Sequence, residues 1–316
     1  MRTTHKALLL GTITILVVLG ASALVVRKVN APVVKKGTYC LLNGTLSDIM
    51  PTQSHRSYCI KSTGKESAYA ANTPTSYRFV IIDNQGDIVK NFAITHTKPL
   101  HLIVVRKHLK YFQHPHPTLD ASTGEFTLSD LTFPAPGEYR IFADFAVLNG
   151  MGDQMRMPLA ITISEDIKVE NAYTPEPLGT EERVKMFDGN QVTLSTEQTL
   201  IPEKAMTLVF DLKQNGKPIT DLEPYLGALG HSIILRDETL DFIHAHPIQA
   251  MSEPQNGKVS FSVDFPEAGT YKIFTQFQRN EKVFTTDYVV TVAKSPHTSA
   301  PGVMNMSMPE MDHTMH

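Results

Sequence analysis

The sequence predicts an all-β protein: two tandem β-sandwich domains that follow an N-terminal transmembrane helix and precede a disordered C-terminal tail. Three observations carry this prediction. The chain opens with a long uncharged run, its middle repeats a pattern of short strand-like segments, and its end is rich in methionine and histidine. At 316 residues the chain has room for about two domains of ordinary size.

The N-terminal run is long enough to cross a membrane. Residues 7–26 form twenty consecutive uncharged positions with basic residues on both sides, and a helix of that length spans about 30 Å, the thickness of a bilayer core. A cleaved leader ending at Ala23 is the alternative, but the apolar run continues past that site. We therefore predict that residues 1–28 are a single-pass signal-anchor in the cell membrane and that the remainder is extracytoplasmic, or secreted if cleavage occurs after Ala23.

The middle of the chain compares with itself at a shift of 130 residues. "HLIVVRKHLKYFQHPHP" (101–117) aligns with "HSIILRDETLDFIHAHP" (231–247), and, after a two-residue adjustment, "FPAPGEYRIFADF" (133–145) aligns with "FPEAGTYKIFTQF" (265–277). Two copies are too few for a solenoid. Each copy is a series of short segments rich in β-branched and aromatic residues and separated by turn sequences, which is typical of a sandwich domain.

A tyrosine follows a glycine-containing corner in both copies. Tyr139 and Tyr271 resemble the tyrosine corner at the start of strand F in immunoglobulin-like domains. Ile141 and Ile273 stand where that family has a cysteine, so no inter-sheet disulfide is implied. The sequence therefore predicts two Ig-like β-sandwiches.

The domain boundaries follow from composition. We predict a stalk at 29–36, the first sandwich at 37–165, a linker at 166–182, the second sandwich at 183–294 and the disordered tail at 295–316. An extracytoplasmic location favours a disulfide between Cys40 and Cys59, and two free thiols are the alternative.

Charge and motifs exclude two classes of function. A formal net charge of −3 provides no basic field for nucleic acid. The sequence contains no glycine-rich phosphate loop, no G-x-S-x-G and no H-E-x-x-H. Acids near the histidines are not repeated, since Gln276 stands where the first copy has Asp144. We therefore expect a protein that is not an enzyme.

The histidines of the repeat predict two metal sites. Residues two apart on a strand share a face, and hairpin pairing around residues 107–110 places the first histidine of each copy opposite the last, at a Cβ separation of about 4.5–5.5 Å. Imidazoles at that spacing suit a shared metal ion. The predicted ligands are His101, His114 and His116 in the first domain and His231, His244 and His246 in the second.

Methionines extend the predicted ligand set toward copper. Met151, Met155 and Met157 follow strand F of the first domain, at the end where its histidines lie, and thioether sulfur with imidazole suits Cu(I). The second domain has no methionine there, so its site would be imidazole-only and closer to Cu(II) or zinc. The tail adds further candidate ligands: Met304, Met306, Met308, Met311, His313, Met315 and His316.

A structural role is the alternative for the repeated histidines. A His-x-His-Pro pair can bond to backbone at a sandwich corner and bind no metal. Phe112 and Phe242 share the face of the histidines, so that face also belongs partly to the core.

The "HLIVV…F-x-H-x-HP…PG-x-Y-x-x-F" pattern, with "LGALGH" at 226–231, resembles bacterial secreted or membrane-anchored Ig-like proteins. These include YtkA-like and FixH-like domains and modules attached to heavy-metal efflux adaptors. The resemblance implies an extracytoplasmic sandwich that handles copper or another heavy metal, with a metal efflux or acceptor protein as partner. We predict copper sequestration or transfer, and the alternative is an interaction or envelope-scaffolding module.

Overall fold

A computed structural model describes residues 58–64, 68–149 and 157–294. Within these ranges every regular element is a β-strand, so the all-β prediction is confirmed. The first domain contains β1 (Tyr58–Ser62), β2 (Thr75–Asp83), β3 (Phe92–Ala93), β4 (Leu100–Arg106), β5 (Lys110–Gln113), β6 (Thr118–Asp120), β7 (Glu125–Leu131), β8 (Gly137–Asn149) and β9 (Met157–Val169).

The first domain is a sandwich of two antiparallel sheets. One sheet has the order β1-β2-β7-β6, and in the other β8 pairs with β3, β4 and β9 while β4 pairs with β5. The inner faces meet in one apolar cluster whose aromatic members Phe79, Phe126 and Phe133 are fully buried. Burial of each such side chain contributes about 1.5–3 kcal/mol, which is why the alternating apolar positions of the strands face inward.

The second domain repeats this plan with nine more strands. They are β10 (Val184–Phe187), β11 (Asn190–Thr196), β12 (Ala205–Gln214), β13 (Lys217–Pro218), β14 (His231–Arg236), β15 (Phe242–Pro247), β16 (Lys258–Asp264), β17 (Gly269–Arg279) and β18 (Lys282–Val292). Strand β15 pairs with both β14 and β16 and so joins the two layers at one corner. The core packs Phe210, Phe261 and Phe277 against each other at the centre.

Both predicted tyrosine corners form. The Tyr139 hydroxyl donates to the carbonyl of Ala135 at 2.9 Å, and the Tyr271 hydroxyl donates to the carbonyl of Glu267 at 2.8 Å. Gly137 begins β8 with a φ of +131°, a conformation that only glycine adopts readily. The repeated P-G or A-G step therefore allows the chain to turn directly into the tyrosine-bearing strand.

A third apolar cluster holds the two domains against each other. It combines Ile103 and Val105 of β4 with Ile233 and Leu235 of β14, residues that correspond in the two copies. Two aromatic pairs cross the contact, each joining a residue of one copy to a residue of the other. The ring centroids of Phe112 and Phe274 lie 4.4 Å apart in a stacked arrangement, and those of Phe142 and Phe242 lie 5.2 Å apart. The two copies thus meet face to face, like the subunits of a symmetric dimer.

One predicted boundary is wrong by a few residues. Strand β9 continues to Val169, inside the segment predicted as linker, because Val169 pairs with Gly137 and is fully buried. The predicted anchor (1–28), the stalk (29–36), Cys40 and the tail (295–316) lie outside the described residues, so the Cys40–Cys59 disulfide stays a prediction. Among the described residues there is no helix that could span a membrane.

Candidate metal centre

Seven histidine rings gather where the two domains meet. The described part of the chain contains eight histidines, and His108 is the one that stands apart from this cluster. Neighbouring ring centroids in the cluster lie between 4.3 and 6.4 Å apart. The members of the histidine cluster are His96, His101, His114, His116, His231, His244 and His246.

Both hairpins have the predicted register, which brings the three histidines of the first copy together. In the first domain Val104 pairs with Gln113, and the Leu102 amide continues that register by donating to the carbonyl of Pro115 at 3.1 Å. In the second domain Ser232 pairs with Ala245. Strand β5 itself ends at Gln113, before the H-x-H pair, since Pro115 within that pair removes a donor from the ladder.

The first group consists of His101, His114 and His116, as predicted. The Nδ1 atom of His101 lies 3.1 Å from Nε2 of His114 and 3.2 Å from Nε2 of His116. Two nitrogens bound at 2.0–2.1 Å to one tetrahedral ion would lie about 3.3 Å apart. Two of the three nitrogen pairs therefore already have nearly the spacing that a bound ion requires, and all three ligand atoms lie within 4.8 Å of one another.

Hydrogen bonds fix which nitrogen of each ring is free. The Nε2 atom of His101 lies 3.1 Å from the Thr95 carbonyl, and Nδ1 of His114 lies 2.8 Å from Oε1 of Gln276. Both oxygens can only accept, so these nitrogens carry the protons and the lone pairs sit on Nδ1 of His101 and Nε2 of His114. Those are the two atoms that face each other at 3.1 Å. Two facing lone pairs do not form a hydrogen bond, but both can bind a cation.

The second group differs from the prediction. It consists of His244 and His246 together with His96, a residue of the first domain, and the ligand atoms of the three lie within 4.8 Å of one another. His96 Nε2 is 2.8 Å from His246 Nε2. His96 was not among the predicted ligands, because the hairpin arithmetic compared residues only within one copy.

His231 lies between the two groups instead of inside the second. Its ring centroid is 4.3 Å from that of His244 and 4.9 Å from that of His114, and its side chain is 2% exposed. Its Nε2 atom is buried and has no hydrogen-bond partner in the described structure, and the same holds for Nε2 of His244. Such buried unpaired polar atoms are rare in proteins, and here they lie inside a cluster of potential ligands.

Each domain supplies an acceptor that orients a histidine of the other. Gln276 of the second domain accepts from His114 through Oε1, and its amide nitrogen donates to Thr285 Oγ1 at 3.2 Å. Asp144 of the first domain accepts from Nδ1 of His244 at 2.9 Å. An acceptor on the second ring nitrogen is the usual support of a metal-binding histidine, and neither acceptor was predicted from the sequence.

Burial keeps four rings of the cluster neutral, which is the form that binds metal. Burial, reinforced by neighbouring histidines, lowers the pKa of His96 and of His116 to about 4. Burial likewise lowers the pKa of His114 and of His231 well below the ordinary value. At neutral pH these four rings are therefore uncharged imidazoles, and a cation entering the cluster meets no positive charge on them.

The predicted sulfur ligands are not placed by the structure. The β8–β9 hairpin closes with Asn149 paired to Met157. His101 lies toward the same end of β8, since it pairs with Asp144 and its neighbour Leu100 pairs with Phe145. Met151 and Met155, together with the tail ligands, lie outside the described residues. Participation of methionine therefore stays a prediction.

The fold and the cluster define a class of protein: a tandem β-sandwich protein whose two copies share a histidine-rich contact. Both copies match one family model, the Domain of unknown function (DUF8832), over residues 57–163 and 184–294. The chain belongs to this family and contains two copies of its domain. The resemblance to YtkA-like and FixH-like proteins stays a prediction, and no curated protein matches the chain at a significant level.

Several solved structures are similar to the chain at low identity. Domains 4 and 5 of the S-layer protein SbsC are 13% identical with a TM-score of 0.20, over 76% of this chain and 98% of that one. The titin domains z1z2 in complex with telethonin are 12% identical with a TM-score of 0.17, over 78% and 100%. Three N-terminal domains of the bacteriophage RB49 outer capsid protein Hoc are 10% identical with a TM-score of 0.18, over 75% and 68%. TM-scores this low carry no argument about function.

Proposed function

We propose that this protein binds metal ions at the histidine cluster and serves in metal homeostasis, most simply by sequestering copper or passing it on through ligand exchange. The observation that carries the proposal is the pair of facing lone pairs on His101 and His114, 3.1 Å apart and each fixed by a hydrogen bond on the opposite ring nitrogen. Without a cation this contact is unfavourable, and with one it is a pair of ligand bonds.

The donor set agrees with a borderline or soft metal. Neutral imidazoles bind zinc and both common oxidation states of copper, whereas calcium and magnesium prefer oxygen ligands. Methionine in the segment 150–156 and in the tail would shift the preference toward Cu(I). The proposed cellular setting is an Ig-like pair of domains held at the membrane by residues 1–28, outside the cytoplasm, with an efflux or acceptor protein receiving the ion.

A titration of the purified chain with Cu(I), Cu(II) and Zn(II) against a chromophoric chelator tests the proposal. We expect sub-micromolar binding that is lost from the first group in a His114→Ala/His116→Ala variant. His108→Ala is the matched control, because His108 is the described histidine outside the cluster. A chain ended at Lys294 separates the domain sites from the tail.

The outcomes distinguish the candidate functions. Binding that survives removal of the tail but falls in the double variant supports a domain site. Binding that disappears with the tail alone assigns the metal to the tail. Absence of binding to any of the three ions overturns the metal proposal and leaves a module in which the same histidines only hold the two domains together.

A further inference from the structure

The acceptors behind the two histidine groups occupy equivalent places in the two copies but differ in charge. Asp144 of β8 accepts a hydrogen bond from the Thr162 hydroxyl of β9 at 2.9 Å. Gln276 of β17 donates through its amide nitrogen to the Thr285 hydroxyl of β18 at 3.2 Å. Each acceptor thus has a threonine on the adjacent strand and a histidine of the opposite domain beside it. One of them is a carboxylate, and the other is a neutral amide.

The carboxylate of Asp144 acts on the second group. Its Oδ2 atom accepts from Nδ1 of His244 at 2.9 Å, and the two side chains are 14% and 13% exposed. Burial lowers the pKa of His96 and of His246, and the charge of Asp144 opposes this lowering in both rings. A negative charge therefore lies where it attracts a cation held by the second group.

The first group is backed by the neutral amide of Gln276, which accepts from Nδ1 of His114 at 2.8 Å. Burial lowers the pKa of His116 to about 4, and the positive charge of Lys98 contributes to this lowering. Burial also lowers the pKa of His101, where the same lysine counteracts the carboxylate of the second group. The first group is the more deeply buried of the two. A divalent ion there meets less compensating charge than one in the second group.

Charge and burial together decide which ion a group of neutral ligands holds. A divalent ion brings two uncompensated charges into a buried site, and burial of uncompensated charge is costly. A neighbouring carboxylate compensates one of these charges. What is left is a single positive charge, the same as for a monovalent ion among neutral ligands.

From this difference in charge we infer that Asp144 and Gln276 set the ion specificity of the two groups. The first group takes Cu(I), and the second takes a divalent ion, Zn(II) or Cu(II), all of which bind imidazole. Both acceptors are positioning residues that act through the histidine whose proton they accept. The inference rests on the proposed metal binding and assigns an ion charge to each group.

The first test removes the charge of Asp144 and keeps its shape. Asp144→Asn retains an oxygen that accepts from His244, and the Thr162 hydroxyl can accept from the new amide. Affinities of the full chain for Zn(II) and Cu(I) are measured by chelator competition in a His114→Ala/His116→Ala background, which leaves the second group. Any binding by the C-terminal tail is common to the versions with and without Asp144.

The expected losses differ between the two ions, because attraction to a fixed charge is proportional to the charge of the ion. Loss of a partner behind a metal ligand costs about 10–100-fold in affinity. We expect Asp144→Asn to lower the Zn(II) affinity by about 100-fold and the Cu(I) affinity by about tenfold. Asp166→Asn is the matched control, since it removes the same charge from an ion pair with Arg140 further along the β8–β9 pair. It should leave both affinities nearly unchanged.

Gln276→Glu makes the reciprocal change behind the first group. In a His244→Ala/His246→Ala background it should raise the Zn(II) affinity by about 100-fold and the Cu(I) affinity by about tenfold. Before either charge is altered, the chain that keeps only the second group should favour Zn(II) over Cu(I) more strongly than the chain that keeps only the first.

The outcomes separate ion specificity from metal binding itself. Equal changes for the two ions, or no change in a variant that circular dichroism shows to be folded, would overturn the inference, since an acceptor that only orients a ring affects both ions alike. The same ion preference in both backgrounds would also overturn it. Failure of the unaltered chain to bind either ion would instead overturn the proposed function.

Discussion

Replacement of Gln276 by leucine tests whether this residue of the second domain sets the tautomer of His114 in the first. Gln276 Oε1 is the acceptor that holds the proton of His114 on Nδ1, at 2.8 Å. Without it, His114 can move that proton to Nε2 and donate to Nδ1 of His101, 3.1 Å away. The metal-free chain then gains a hydrogen bond exactly where an ion should bind.

The magnitudes follow from these two bonds. A buried donor without a partner costs about 1–3 kcal/mol, but the tautomer change forms a new bond that offsets about 1 kcal/mol of that cost. We therefore expect the free energy of unfolding of the metal-free protein to fall by no more than about 2 kcal/mol. Metal affinity of the first group should fall by about 10–100-fold, the usual effect of losing an outer partner.

Competition titration with a chelator, together with urea unfolding of the metal-free chain, measures both quantities. Gln278→Leu is the matched control: it lies on the same strand, and its amide donates to Glu223 instead of a histidine. Unchanged affinity in a folded Gln276→Leu protein would refute the tautomer argument. A His114→Ala background should abolish the effect, and an additive loss there would show that Gln276 acts by another route.

Three further predictions concern the fold. Tyr271→Phe removes a hydrogen bond of 2.8 Å at the second corner and should lower the unfolding free energy by about 1 kcal/mol in urea; an unchanged midpoint would contradict a stabilising role for the corner. Alanine substitutions of Phe112 and Phe274, which stack at 4.4 Å, should show a coupling energy of about 0.5–1.5 kcal/mol in a double-mutant cycle, and zero coupling would mean that the domains do not pack this way in solution. Burial would raise the pKa of Asp287, but hydrogen bonding and charge from the buried Lys272 outweigh it and lower this pKa. The carboxylate therefore contributes stability that is present above its unfolded pKa of 3.8 and is lost as the pH falls through its lower folded pKa. Asp287→Asn should make the free energy of unfolding less dependent on pH between these two values. An unaltered pH dependence would show that the Asp287–Lys272 pair does not contribute to it.

Local pattern was sufficient to predict much of the fold and one half of the site. Strand periodicity and turn chemistry act over a few residues, so the all-β class and the repeat could be read directly. Hairpin register depends on the position of one turn, and the register predicted for the first hairpin is present, with Val104 paired to Gln113. The group His101, His114 and His116 was predictable for the same reason, since all its members lie on one hairpin.

The second half of the site depended on the tertiary structure. His96 and His246 are 150 residues apart and belong to different domains, so neither periodicity nor register relates them. The only signal in the sequence is the difference between "THTK" and "YLGA" at matching turns, and it has no meaning until the domains face each other. The same is true of Asp144 and Gln276, whose mismatch in the repeat gives no indication of a shared role.

The sequence by itself therefore determined which residues lie on each hairpin, because strand pairing within a copy is a local property. Only the packing of one copy against the other decided that Asp144 and Gln276 each accept a hydrogen bond from a histidine of the other domain. The same packing placed His96 in the second group and His231 between the two groups. This packing is set by burial of the apolar faces around Ile103 and Ile233. Burial is non-directional, so the hydrophobic pattern specifies that these faces are covered without specifying which histidines meet beside them.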